Sequence, residues 1–532
     1  MYDIKISGAV VVDGSGSAGV AGEVLVAGDQ IAAVRRRPTG EPARETVDGD
    51  GLVVCPGFID LHSHSDFTLF SYPRAESKVH QGVTTELVGN CGIAPYPVSA
   101  SHREDLHTYI GEEGGKLPWS WSDLGGYLKA LQTAGAAVNV APLAAHGSIR
   151  IAVMGFDERS PSPDEMEDMK RFLRTDLADG AFGMSTGLIY APGTYSCTGE
   201  ITSLAREMTE VGGMYVSHIR GESEGLLDAV DEALQIGRGA EVPVHIAHLK
   251  AAGRAVWGFS EKVVRMMQRA VSAGQDVTGD AYPYLGGSTS LAALLPPWTL
   301  NEGMPGLVQR LRSTKQRRRI ARDIERGVQG WWNPVRAAGG WESVMITEIP
   351  EGPNVQLRGL RVTEIAGRRG GSPLDAACDL LVQEEGRVSM IIFMMHEGDV
   401  RTYLAADRVA VGSDGAAVAP GDGLVHPRSY GTFPRVLARY VREEKLLSLP
   451  GAIYKMTGLP ARRLGLTDRG LLRPGQKADL VLFSPDQIRD TATYDSPHSY
   501  PDGIELVAVN GRVVVRGGRH TGALPGRVLR RG

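Results

Sequence analysis

The chain has 532 residues, more than one average domain needs and suited to a large barrel with a satellite domain. A hydrophobic fraction of 42% and a charged fraction of 22% are those of a globular protein, and a formal net charge of −5 gives no electrostatic case for nucleic acid. Four scattered cysteines exclude a disulfide scaffold and fit a reducing cytoplasm, and no apolar run approaches the roughly 18 residues of a membrane span. The opening Met1-Tyr2-Asp3-Ile4-Lys5 carries charge early and lacks the apolar core of a signal peptide.

The first segment reads as β structure. Ile6 to Val12 forms one strand, and Glu23 to Ala27 and Gln30 to Val34 flank the hairpin turn Gly28-Asp29. The far end is alike, with a strand at Ala478 to Phe483 and a hairpin about Asn510-Gly511. Neither end has enough strands to stand alone. Residues 1–56 and 466–532 are therefore expected to build one small β-sandwich domain, with residues 57–465 inserted as a (β/α)8 barrel. In that insert, strand-like runs end near His62, Cys91, Ala144, Ser185, His218, His248, Asp280 and Asp414, with helix-like stretches such as Gly221 to Gly239 and Phe259 to Ala273 between them. Two further candidates, Val344 to Ile349 and Ser389 to Met395, make too many strands for eight. Residues 285–341, rich in Pro, Trp and Arg, read as a lid inserted near the active end of the barrel. The basic run Lys315 to Arg319 reads as a solvated helix face.

Chemistry concentrates at the strand ends. His62 and His64 alternate after Pro56-Gly57-Phe58-Ile59-Asp60, so a strand presents both imidazoles to one metal ion. His-x-His alone is a weak pattern. It gains force because His218 and His248 end later strands about one βαβ repeat apart. A lone cysteine is more often a small buried hydrophobe, yet Cys91 ends another strand within Gly89-Asn90-Cys91-Gly92, where a thiolate could ligate or bridge metal ions. Zinc suits such mixed imidazole, thiolate and carboxylate donors. Asp414, in Gly412-Ser413-Asp414-Gly415, is the natural acid/base beside a metal site. Lys250 lies two residues past His248 and would point the same way, to pair with a substrate carboxylate. Tyr190, Tyr282, Tyr284 and Ser288 fall just past strand ends as candidate hydrogen-bonding groups, and His146 is a further pocket candidate. His245 should face the opposite side from His248 and be structural.

Together these motifs resemble the amidohydrolase superfamily and, within it, the N-acyl-D-amino-acid deacylases (D-aminoacylases). The resemblance spans nearly the whole chain, through Gly82-Val83-Thr84-Thr85, Gly187-Leu188-Ile189-Tyr190, Ser217-His218-Ile219-Arg220, His248-Leu249-Lys250 and Asp280-Ala281-Tyr282-Pro283-Tyr284. Hydantoinase-like relatives bridge two metals with a modified lysine on the fourth strand. Ala181-Phe182-Gly183-Met184-Ser185 has no lysine, which favours the cysteine alternative. The resemblance implies one tight zinc on Cys91, His218 and His248, and a second, weaker site on His62, His64 and Asp414. It implies that Lys250, Tyr190, Tyr282, Ser288 and Tyr284 bind a small-molecule N-acyl-D-amino acid around its carboxylate, and that Asp414 serves as general base and then acid. A cyclic amide hydrolase of the hydantoinase or dihydroorotase type, and a non-catalytic binding scaffold, are the rival readings. Neither side-chain preference nor monomer against dimer is legible.

Overall fold

The structure is a computed structural model and describes residues 1–37, 39–111, 116–421 and 423–531. Eight parallel strands form the barrel: Phe58–Asp60, Val83–Val88, Asn139–Pro142 continuing as Ala144–Ala145, Gly183–Gly187, Met214–His218, Val244–Ile246, Val277–Ala281 and Val409–Val411. Each pairs with its successor in sequence. The ring closes beyond the ends of the first and eighth strands, where Ser63 bridges Gly415 and the Asp414 N–H donates to the His62 carbonyl at 2.8 Å.

Strand residues are buried on both faces, as they must be in a parallel sheet wrapped by helices; Val83–Val88 is buried throughout. The helix Leu226–Ala240 shows how the wrapping is coded. Ala229, Val230, Ala233, Leu234 and Gly237 recur at three- and four-residue steps and are its buried stripe. The helix Pro163–Ala178 starts where Ser162 and Glu165 form a reciprocal capping box ahead of Pro163.

The surplus strand candidates do not enter the barrel. Val344–Ile346 and Ser389–Phe393 pair antiparallel with one another, and Ser389–Phe393 pairs antiparallel with Gly286–Ser290. All three belong to the excursion between the seventh and eighth barrel strands, which therefore reaches well beyond residue 341. Their apolar runs look like barrel strands because this small sheet is itself covered, with Met390, Ile391 and Ile392 all buried.

Strands from the two chain ends share one hydrogen-bonded path. It runs Arg519–His520, Arg512–Arg516, Ile504–Val509, Leu480–Phe483, Val53–Pro56, Tyr2–Val11, Val20–Ala27, Gln30–Arg35, with Ala43–Asp48 also paired to Tyr2–Val11. Tyr2–Val11 pairs Ala43–Asp48 over its first part and Val53–Pro56 at Val10 and Val11, so the sheet divides there and folds over its own core of Ile4, Ile6, Val24, Leu480 and Leu506. The barrel-plus-β-domain architecture expected from the sequence is the one found. Among the described residues no helix is long and apolar enough to cross a membrane.

Candidate metal centre and cavity

Six of the predicted side chains converge at the C-terminal mouth of the barrel. They form two groups, His62, His64, Cys91 and Asp414, and Cys91, His218 and His248, with Cys91 common to both. Cys91 Sγ lies 3.3 Å from His62 Nε2 and 3.4 Å from His248 Nε2, which in turn stands 2.9 Å from His218 Nδ1. Asp414 Oδ1 lies 3.4 Å from His62 Nε2 and 3.2 Å from His64 Nε2. Two donors on one zinc ion, bonded at about 2.0–2.3 Å in tetrahedral geometry, stand roughly 3.3–3.8 Å apart. The donor chemistry and the separations of Cys91 from His62 and His248 and of Asp414 from His62 fit such an ion, whereas His218 and His248, at 2.9 Å, stand closer than that spacing.

The backbone makes this convergence possible. Cys91, His248 and Asp414 all take left-handed conformations, with φ of 54°, 32° and 53°. Non-glycine residues seldom adopt that region, and such strain gathers at functional sites. Next to Cys91, Gly92 has φ of 71°, and a side chain there would meet the Gly187 nitrogen at 2.6 Å. Only glycine lets the second and fourth strand ends approach so closely.

Electrostatics set the ionisation states. Burial alone would raise the Cys91 thiol, but His62, His248 and His218 outweigh it and hold the group well below its ordinary value, as a thiolate. Burial likewise works against the Asp414 carboxylate, and Arg428, His248 and His62 overcome it, so it stays ionised. Arg428 Nη1 donates to Asp414 Oδ2 at 2.6 Å.

Behind the mouth lies a second layer of carboxylates. Asp280 accepts from His245 Nε2 at 2.8 Å and from the His248 N–H at 3.0 Å, and its Oδ2 stands 3.5 Å from His62 Nδ1. His245 is thus structural, turned from the mouth, and its Nδ1 bonds Thr278. Glu222 Oε1 lies 2.7 Å from Lys250 Nζ, 3.4 Å from His218 Nε2 and 3.5 Å from His248 Nδ1. Under the seam, fully buried Lys78 binds Asp60 at 2.9 Å, Glu86 at 3.1 Å and Ser413 Oγ at 2.9 Å.

The mouth opens into a cavity of about 360 Å³. His64, Cys91, His218, His248 and Asp414 form its floor, and Lys250, Tyr190, Tyr282 and Ser288 line it. The Tyr282 hydroxyl is buried without a hydrogen-bond partner, as a ligand-binding group would be. Tyr284 is a correction. It does not line the cavity; its hydroxyl donates to the Pro427 carbonyl at 3.4 Å and its ring packs on His426. The strand ends at Ala281 and Pro283 follows, so the two-residue alternation that would align Tyr284 with Tyr282 no longer holds. His146 also lies off the cavity, bound to Glu200 at 2.9 Å.

Sequence reasoning missed Glu222, Arg428 and the role of Asp280. Arg428 was the most legible of these, since His426-Pro427-Arg428 follows closely on the Asp414 loop. Glu222 lies in the loop after His218-Ile219-Arg220, where no periodicity fixes direction.

A parallel eight-stranded barrel with mixed imidazole, thiolate and carboxylate donors at its C-terminal mouth defines a metal-dependent hydrolase type of site. Residues 45–299 and 362–515 match the Amidohydrolase family. The D-aminoacylase of Alcaligenes xylosoxydans xylosoxydans is 37% identical over 100% of this chain and 98% of its own, and the N-acyl-D-glutamate deacylase of that organism is 36% identical over 99% and 96%. The crystal structure of the N-acyl-D-glutamate deacylase from Bordetella bronchiseptica, complexed with zinc and a phosphonate inhibitor, superposes with a TM-score of 0.84 at 34% identity, over 99% of both chains. This chain belongs to the D-aminoacylase family of the amidohydrolases.

Proposed function

We propose that the protein hydrolyses N-acyl-D-amino acids with an apolar side chain, in a zinc-dependent reaction, giving a D-amino acid and a carboxylate. The observation that carries this reading is the pair of donor groups sharing Cys91 at the floor of a cavity that also presents Lys250 and Arg428. Cys91, His218 and His248 would hold the tight ion, and His62, His64 and Asp414 a weaker one. A bound zinc ion lowers the pKa of water to about 7 and stabilises negative charge growing on the acyl oxygen.

The rest belongs to the chain. Asp414, ionised and held at Oδ2 by Arg428, takes the proton of the attacking water on its carboxylate. The water oxygen bonds to the acyl carbon, the C–N bond breaks, and Asp414 returns the proton to the departing nitrogen. Lys250, Tyr190, Tyr282 and Ser288 anchor the α-carboxylate. Fixed carboxylate, fixed carbonyl and a side-chain pocket give the three points that read a stereocentre. The fourth strand, Gly183–Gly187, offers no lysine for a hydantoinase-type bridge, which counts against the cyclic-amide reading. Asp414 and Cys91 in place count against a non-catalytic scaffold.

The apolar preference follows from charge placement. Among the described lining residues the lysine and arginine side chains are Lys250, assigned above to the α-carboxylate, and Arg428, paired with Asp414. The lining also includes the apolar Leu294, Leu295, Leu300, Met304, Met390 and Met394. A second substrate carboxylate would be buried there unpaired, which costs several kcal/mol (order of magnitude). Residues 287–304 and 389–394 supply much of this wall, so the excursion acts as a cover that sets side-chain choice. The test is amine release from N-acetyl-D- and N-acetyl-L-amino acids. D-leucine and D-methionine derivatives should react far faster than their L forms and than D-aspartate or D-glutamate derivatives. Equal rates on both enantiomers would reject the function, and a preference for acidic D side chains would reject the apolar assignment alone.

A further inference from the structure

One buried carboxylate faces a ligand candidate and the substrate anchor at once. Glu222 is 3% exposed, in the loop following the fifth barrel strand, and its Oε1 faces three nitrogens. Inward, His218 Nδ1 and His248 Nε2 face each other at 2.9 Å beside Cys91. Outward, His218 Nε2 is buried with no hydrogen-bond partner and Glu222 Oε1 3.4 Å away. His248 Nδ1 lies 3.5 Å from that same oxygen and 2.6 Å from Lys250 Nζ.

The His218 tautomer follows by elimination. An imidazole that gives one nitrogen's lone pair to a metal carries its hydrogen on the other. With His218 Nδ1 turned inward, that hydrogen stands on Nε2, facing Glu222 Oε1. Lys250 brings its ammonium to the same oxygen at 2.7 Å. The close contact of His248 Nδ1 is with that ammonium, which can only donate, and not with Glu222.

We propose that Glu222 is a positioning residue that fixes the tautomer and orientation of His218 while holding Lys250 toward the substrate carboxylate. The proposal rests on the metal-site reading above. It makes metal affinity and carboxylate recognition both depend on one oxygen atom, so losing that oxygen disturbs the two sub-sites together.

The experiment is chelator competition for zinc on full-length wild type, Glu222→Gln, Lys250→Met and the double variant, with thermal melting to verify folding. Carboxylates behind ligating histidines commonly contribute about 10–100-fold in metal affinity. Glu222→Gln should weaken zinc binding by about that factor. Lys250→Met should leave it within about threefold, and the double variant should remain as weak as Glu222→Gln. Zinc affinity of Glu222→Gln within threefold of wild type would overturn the proposal, leaving Glu222 as the ion-pair partner of Lys250. So would a double variant restored to wild-type affinity, because the defect would then be the unpaired ammonium beside His248. If Glu222→Gln does not fold, Glu222→Asp is read in the same assay; it withdraws the oxygen and should also weaken binding, and unchanged affinity there overturns the proposal equally. A wild type without tight zinc sinks the metal-site reading itself, an outcome separate from the others.

Discussion

The barrel mouth and the excursion that covers it face one cavity but are built by opposite rules. At the mouth every charge has a partner: Asp414 with Arg428, Lys250 with Glu222, Cys91 with three imidazoles. Position there is set by strand ends and by left-handed turns that few residues tolerate. The cover carries Leu294, Leu300, Met304 and Met390 toward the same space, on a small antiparallel sheet and short helical turns. Polar groups in a buried site demand exact partners, whereas apolar walls demand only volume. Chemistry is therefore expected to be intolerant at the mouth and preference adjustable at the cover.

Substitutions on the two sides test that contrast. The largest effect is expected at Cys91, the donor common to both groups. Cys91→Ala should reduce activity to background and lower zinc content measured by elemental analysis, with the far-UV circular dichroism of wild type. Retained zinc and turnover would make Cys91 a core residue. Next comes Asp414→Asn, which keeps shape and removes the proposed base. Turnover should fall by about 10²–10⁴-fold, the usual contribution of a positioned acid/base, and a fall of only a few-fold would assign proton transfer elsewhere. The smallest effect is expected on the cover. Ala293 lines the cavity and is partly exposed. Ala293→Arg introduces a cation into the cavity wall. A partly solvated ion pair is worth up to about 1 kcal/mol, so the kcat/KM ratio of N-acetyl-D-glutamate to N-acetyl-D-leucine should rise about fivefold with zinc content unchanged. A collapse of activity on both substrates would show that the cover is no more tolerant than the mouth.

The same contrast explains what the sequence reveals. Strand ends are legible because a two-residue period and an apolar run fix both direction and depth, which is why His62, His64, His218 and His248 are read correctly as neighbours. Legibility fades beyond the strand ends, where His62, His64, Cys91, His248 and Asp414 are still brought together. Tyr284 is separated from its strand by Pro283 and turns away, while Glu222 and Arg428 sit in loops whose aim depends on barrel closure. The strands of the excursion mislead for a different reason: burial in a covered antiparallel sheet writes the same apolar run as burial in a barrel.

The seam of the barrel carries one more consequence, for folding. His64 and Asp414, which meet at 3.2 Å, are 350 positions apart in the chain. Contacts of such separation form late, since ordering the intervening chain is entropically costly. Lys78, Asp60 and Glu86 lie beneath this junction, and in an open barrel water would solvate all three. The eighth strand adds Ser413 Oγ to Lys78 at 2.9 Å and completes its enclosure. No fragment lacking either the first or the eighth strand can assemble the His62, His64 and Asp414 group. Assembly of that group therefore requires both ends of the barrel.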